Sequence, residues 1–108
     1  NLSTTLGYKC RAWVNFNGTG TVVIRTSGNV SSITDNSTGD YTVNFAVAMV
    51  DVNYSPQMTG DSSGSRQNTW GRIGDLQAVP TAAALRVRFC DDQSSNIDTK
   101  YAQVAVFR

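Results

Sequence analysis

The chain has no histidine and no glutamate. Without histidine there is no Ser-His-Asp or Cys-His nucleophile arrangement, and the commonest metal ligand is missing. The two cysteines, Cys10 and Cys90, lie far apart and form no CxxC spacing, so they do not make a zinc site. Charged residues make up only 16% of 108 residues and the net charge is +1, which leaves no electrostatic argument for nucleic acid. No apolar run approaches the ~18 residues of a membrane span, and no basic-then-apolar leader is visible. No stretch of ten or more residues carries a helical period. The acidic residues are eight aspartates, nearly all beside turn signals, where Asp bonds its own backbone. A paired-carboxylate glycosidase site is therefore not expected. The cluster Asp91, Asp92 and Asp98 reads as a solvated turn, because a calcium loop needs six to eight oxygens at a spacing not seen here. The expectation is a chain that binds rather than catalyses, with no cofactor and no metal.

What is present is Ser, Thr, Asn and Gly, arranged in short alternating strands. Between Tyr8 and Phe45 four strand patterns are separated by three turn signals: Asn17-Gly18 with Gly20, Ser27-Gly28-Asn29, and Asn36-Ser37-Thr38-Gly39. Cys10, Ala12, Val14 and Phe16 share one face, with Arg11, Trp13, Asn15 and Asn17 on the other. Tyr41, Val43, Phe45, Val47 and Met49 continue the same alternation. One dry face and one wet face mark an antiparallel sheet, so this stretch reads as a β-meander over which the rest of the chain closes. Beyond it, Pro56 lacks an N–H and points to an edge strand or bulge. Residues 60 to 75 read as a loop, with Leu76 to Pro80 as a short strand beyond it. Ala82 to Cys90 is a strand with Leu85, Val87 and Phe89 inward. Lys100 to Arg108 is a closing strand, apolar enough on both faces to be central or packed against a partner chain. The fold class is all-β: an antiparallel sandwich of seven to eight strands, a single domain over 9–108, with 1–8 as a lead-in from an upstream region.

The runs A-W-V-N-F-N-G-T-G-T, N-V-S-S-I-T-D-N and G-D-Y-T-V-N-F resemble a module near the C terminus of tailed-bacteriophage tail fibre and related virion proteins. The resemblance covers Tyr8 to Tyr54 and continues more weakly through Leu85 to Cys90 and the closing V-A-V-F-R. Family members often carry M-P-D where this chain has Met49-Val50-Asp51, and residues 56 to 75 have no counterpart. These are turn and core residues, so the resemblance supplies a fold and a setting without a chemical mechanism. It implies a virion tail domain made in the host cytoplasm and assembled as a homotrimer with other tail proteins. It also implies attachment to a glycan or protein of the host surface, without membrane insertion. The alternatives are a carbohydrate-binding module of an enzyme and a decoration domain without a ligand.

Within that setting, the candidate receptor-binding residues are Tyr54, Arg66, Gln67, Asn68, Trp70, Arg72, Asp92 and Gln93, provided segments 56–75 and 91–99 lie at one end. Aromatic rings stack on the apolar faces of sugars while Arg and Asn bond their hydroxyls. Trp70 either offers such a platform or pins its own loop to the sandwich. Trp13, on the wet face of its strand, is covered by a loop or buried in a subunit contact, and Tyr101 and Phe107 join it as candidate oligomer-interface residues. Arg11, Arg25, Arg86 and Arg88 read as solvated strand-face charges. A Cys10–Cys90 bridge would close a loop of about 80 residues and stabilise by ~4 kcal/mol. Opposed strand parity and assembly in a reducing cytoplasm argue for two free thiols instead.

Overall fold

The computed structural model describes residues 9–61, 69–74 and 79–108. They form eight strands: β1 (Cys10–Asn17), β2 (Val23–Gly28), β3 (Val30–Ser37), β4 (Asp40–Phe45), β5 (Ser55–Asp61), β6 (Trp70–Ile73), β7 (Ala84–Cys90) and β8 (Tyr101–Phe107). Two four-stranded sheets result, ordered β2-β1-β8-β5 and β3-β4-β7-β6, and every neighbouring pair is antiparallel. The protein is an all-β sandwich, as its alternating strands predict.

The N-terminal meander is folded over at one residue. Asn29 has a φ of 56° and ends the β1–β2 hairpin, so β3 and β4 start a second hairpin in the opposite sheet. Asn29 also fixes where β4 stops. Its side chain donates to Arg11 O and Val47 O and accepts from Val47 N, and its carbonyl accepts from Ala46 N. The alternation read through Val47 and Met49 therefore ends as a strand at Phe45. Val47 is exposed, whereas Met49 turns back into the core.

Ala12, Val14, Phe16, Tyr41, Val43, Leu85, Val87, Phe89, Ala102, Val104 and Val106 fill the space between the sheets. Cys10 does not join them. The β1–β8 register shifts between Cys10 and Ala12, which turns Cys10 out to solvent. Both thiols are free, with Cys10 at one end of β1 and Cys90 at the far end of β7. Cys90 is buried despite sharing parity with Arg86 and Arg88, because Asn96 bridges to it and covers the end of the strand. Pro56 lies on β5, an edge strand, which is where a residue without an N–H is tolerated in a sheet.

The sandwich has two dissimilar poles. At the first, Phe16, Tyr41 and Phe89 pack as a cluster with centroids 5.1 to 6.4 Å apart. The Tyr41 hydroxyl lies 2.9 Å from Gly18 O and 3.1 Å from Asp98 Oδ1, so it ties the β1–β2 turn to the loop before β8. Burial, with the Asp98 charge beside it, pushes the Tyr41 hydroxyl well above its ordinary range. Asp98 Oδ1 also accepts from Gly39 N at 2.9 Å. Gly39 has a φ of +66°, and a Cβ there would come within 2.7 Å of Phe89 O, so the β3–β4 turn requires glycine. At the second pole, around Asn29, Tyr54 packs edge-on to Phe45 at 5.7 Å and its hydroxyl donates to Thr81 O at 2.9 Å. Lys9 and Arg108 also meet there, with Arg108 N donating to Lys9 O. The Arg108 guanidinium grips Asp51 through both carboxylate oxygens and holds that exposed carboxyl down to about 2.

Candidate functional site

Two surfaces gather the residues singled out from the sequence. The first is at the Asp98 pole. Strand β5 ends there at Asp61, β6 begins there at Trp70, and β7 leads into the loop 91–100 there. The loop 91–99 and the ends of β5 and β6, at Asp61 and Trp70, thus lie at one end of the sandwich. Trp70 to Ile73, read as loop, is instead a strand that pairs Trp70 with Cys90 and Arg72 with Arg88. The Trp70 indole Nε1 donates to Asp91 O at 3.1 Å, yet the ring remains 43% exposed. Trp70 therefore pins the neighbouring loop and also presents a ring to solvent. The Arg72 guanidinium sits 5.8 Å from its centroid.

Asp91 organises the adjacent loop. Its buried carboxylate accepts from Gln93 N and Ser95 N at 2.9 and 3.0 Å, and Ser94 takes a φ of 64°. Asp92 and Gln93 are thereby left exposed at the rim. Of the candidate receptor residues, the structure brings together Trp70, Arg72, Asp92 and Gln93. Arg66, Gln67 and Asn68 lie outside the described residues. Tyr54 is corrected: it is buried at the opposite pole, where its hydroxyl serves the turn before β7.

The second surface is the outer face of β2-β1-β8-β5. Trp13, Tyr101 and Phe107 all lie on it, each more than 40% exposed. The strand registers set side chains in rows across the sheet. One row is Gly28, Trp13, Ala105 and Gln57; the next is Thr26, Asn15, Gln103 and Thr59. Small residues flank Trp13 on both sides. A Cβ on Gly28 would collide with the indole nitrogen, so glycine on β2 lets the ring settle against the strand. On the other side Ala105 leaves a hollow, and the two rows line a shallow, open groove of about 470 Å³.

Half of the polar groups in this groove have a partner and half do not. Thr59 Oγ1 lies 3.3 Å from Gln103 Oε1, and Asn15 Oδ1 accepts from Arg25 at 3.1 Å. The Trp13 indole N–H and the side chains of Thr26 and Gln57 make no hydrogen bond among the described residues. The nearby charges are held at one end. Arg25 stacks 4.5 Å over the Tyr101 ring and donates to Lys100 O, while the Lys100 ammonium lies 5.7 Å from the same ring.

The expectation that Arg86 and Arg88 are simply solvated is also corrected. Arg86 makes a two-point pair with Asp40 at 2.8 and 2.7 Å, and Arg88 Nε lies 3.4 Å from Asp40 Oδ2. The Arg86 hydrogen bonds hold the Asp40 carboxyl below its usual range despite burial. Among the described residues no group of three or more His, Cys, Asp or Glu is placed to hold a metal ion. No helix among them is long and apolar enough to cross a membrane. No family model, curated protein or solved structure matches the chain.

Proposed function

We propose that this chain is a receptor-attachment module of a tailed-phage tail fibre or related virion appendage, acting by binding rather than catalysis. The observation that carries this reading is the division of labour between the two poles. Lys9 and Arg108 meet at the Asn29 pole, while Trp70, Arg72 and the Asp92–Gln93 rim occupy the Asp98 pole. Loops carried on a rigid sandwich, as at the Asp98 pole, are where recognition is usually built. The exposed ring of Trp70 beside Arg72, with Asp92 and Gln93, suits a polar glycan better than an apolar peptide. The assembly is a homotrimer about a fibre axis, in contact with other tail proteins and with the host surface.

Binding of the fluorescently labelled protein to a panel of bacterial cells, read by flow cytometry, tests the reading. The double variant Arg72→Ala, Gln93→Ala alters only exposed side chains and should fold normally, as judged by its unfolding midpoint. It should lose most of the retention on any cell type that binds the parent. Undiminished binding by this variant would move recognition off the Asp98 pole, and absence of binding to every cell type would remove the attachment role. Sedimentation at several concentrations tests the trimer, which a constant monomeric mass would exclude.

A further inference from the structure

The face that carries Trp13, Tyr101 and Phe107 has the exposed aromatics of a subunit contact but not the centre of one. Buried interface cores are depleted in polar groups, because each unmatched amide or hydroxyl taken from water costs about 1–3 kcal/mol. Here the middle of the face is amide and hydroxyl: Asn15, Thr26, Gln57, Thr59 and Gln103, around the hollow above Ala105. A flat apolar partner would strand these groups. A ligand bearing many hydroxyls would satisfy them, since amides and hydroxyls both donate and accept. No acidic residue lines the groove, so a cationic ligand would find no counter-charge, and the cation at its end, Arg25, is already engaged by Asn15, Lys100 O and the Tyr101 ring.

We propose that the outer groove of β2-β1-β8-β5 binds an uncharged oligosaccharide, stacked on Trp13 and bonded through Asn15, Gln57 and Gln103. The site goes beyond the attachment surface at Trp70, because it lies on a different sheet and a different face. Each position has a reason in the register. Trp13 sits between Gly28 and Ala105, so its ring has no bulky neighbour in its row on β2 or β8. Gln57 and Gln103 reach in from β5 and β8, on the far side of the hollow from Trp13. Arg25, anchored on Tyr101 and Lys100 O, closes the end of the groove toward the Asp98 pole. The ligand length this allows follows from the strands. Along β8 the groove runs only from Gln103 to Ala105, about 7 Å at ~3.3 Å per residue. Across the four strands from Thr26 to Thr59 it spans about 14 Å at ~4.8 Å per strand, which is room for a short chain of sugars lying across the strands.

The test uses the whole chain and a panel of uncharged hexasaccharides of glucose, mannose and galactose, read by two-dimensional amide and indole NMR. The two tryptophan indole N–H signals are assigned by single Trp→Phe variants. The expected result is that at least one hexasaccharide shifts the Trp13 indole signal in a saturable way, while the Trp70 signal stays still. Trp13→Ala should weaken binding at least tenfold and Gln103→Ala by threefold or more. Should Trp13→Ala fail to fold, Ala105→Leu fills the hollow from outside the core and should abolish binding by itself. Three results overturn the proposal. One is a Kd weaker than ~10 mM for every member of the panel. Another is undiminished binding by folded Ala105→Leu. The third is sedimentation showing an oligomer that Trp13→Arg dissociates, which would make this face a contact between copies. None of these bears on the cell-binding assay with the Arg72, Gln93 variant, so the two readings stand or fall separately.

Discussion

The outer faces of the two sheets are built from the same few residue types and treat them in opposite ways. On β3-β4-β7-β6 the polar side chains are spent on one another. Asn44 donates to Ser32 and Thr34 at 3.1 and 2.9 Å, Asn36 to Thr42 at 2.9 Å, and Arg86 to Asp40. On β2-β1-β8-β5 the amides of Asn15, Gln57 and Gln103 surround a hollow, and Gln57 and Thr26 have no partner among the described residues. Cross-strand pairs of this kind each contribute about 0.2–1 kcal/mol. The second face has two of them, Thr59 with Gln103 and Arg25 with Asn15, and leaves Gln57, Thr26 and the Trp13 N–H open among the described residues. Composition does not distinguish a structural surface from a binding surface. The register that decides which groups can reach each other does.

Substitutions should separate the two faces, and the largest effect belongs to Asp40. It is 1% exposed and lies in a cross-strand row with Arg88 and Arg72, next to Arg86. Asp40→Ala leaves like charges directly opposite one another and should cost about 2–3 kcal/mol in urea unfolding. The cost is below that of breaking a fully buried pair because Arg86 is 35% exposed and partly screened by water. A cost below ~0.5 kcal/mol would show that the guanidinium groups are satisfied by water instead. The same carboxyl gives a pH signature. Its folded pKa is lowered, so its contribution is present above the unfolded value near 4 and fades as pH falls through the folded one. The parent should therefore lose more stability than Asp40→Asn as pH falls below about 4, measured as thermal midpoints across an acid series.

A smaller effect is expected from the amide ladder. Asn44→Ala removes two side-chain hydrogen bonds at a partly exposed site and should cost about 1 kcal/mol, read by urea unfolding. A neutral result would mean that the ladder is decoration. The smallest effect is expected on the opposite face, and it sharpens the contrast. Gln57→Ala and Gln103→Ala should each change stability by no more than ~0.5 kcal/mol. A loss as large as that of Asn44→Ala in either would mean that the groove amides also hold the sheet together.

Much of the fold was legible because its rules are local. Alternation in β1 and β7 identifies Val14, Phe16, Leu85 and Phe89 as core without any knowledge of partners, and Pro56 marks an edge or bulge without knowledge of which sheet. The last strand, apolar on both faces, does not show which face is inward. What could not be read depends on pairing across long separations. Asn29 reads as a turn residue whether the next strand joins the same sheet or the opposite one. Trp-Gly-Arg-Ile is too short and too rich in glycine to alternate, and it becomes β6 only because β7 offers an edge. Asp40 follows a turn glycine and looks solvated until Arg86 and Arg88 arrive from 46 to 48 residues away. Of the candidate site, Trp13 stood out by parity alone. Its groove needs Gly28, Ala105 and Gln57 aligned from three other strands, and each of these is ordinary by itself.

The position of β8 has a consequence for how such a chain is made. It is the last strand described, yet it lies in the middle of its sheet, with β1 on one side and β5 on the other. During synthesis, β1 emerges early and can pair with β2, but its other edge has no partner until Tyr101–Phe107 leaves the ribosome. An unpaired edge is a template for pairing with the wrong chain, so this domain carries an aggregation hazard for nearly the whole of its translation. A chain ending at Lys100 should accordingly show no slowly exchanging amides in β5. The sheet β2-β1-β8-β5 is thus complete only once its central seven-residue strand is in place.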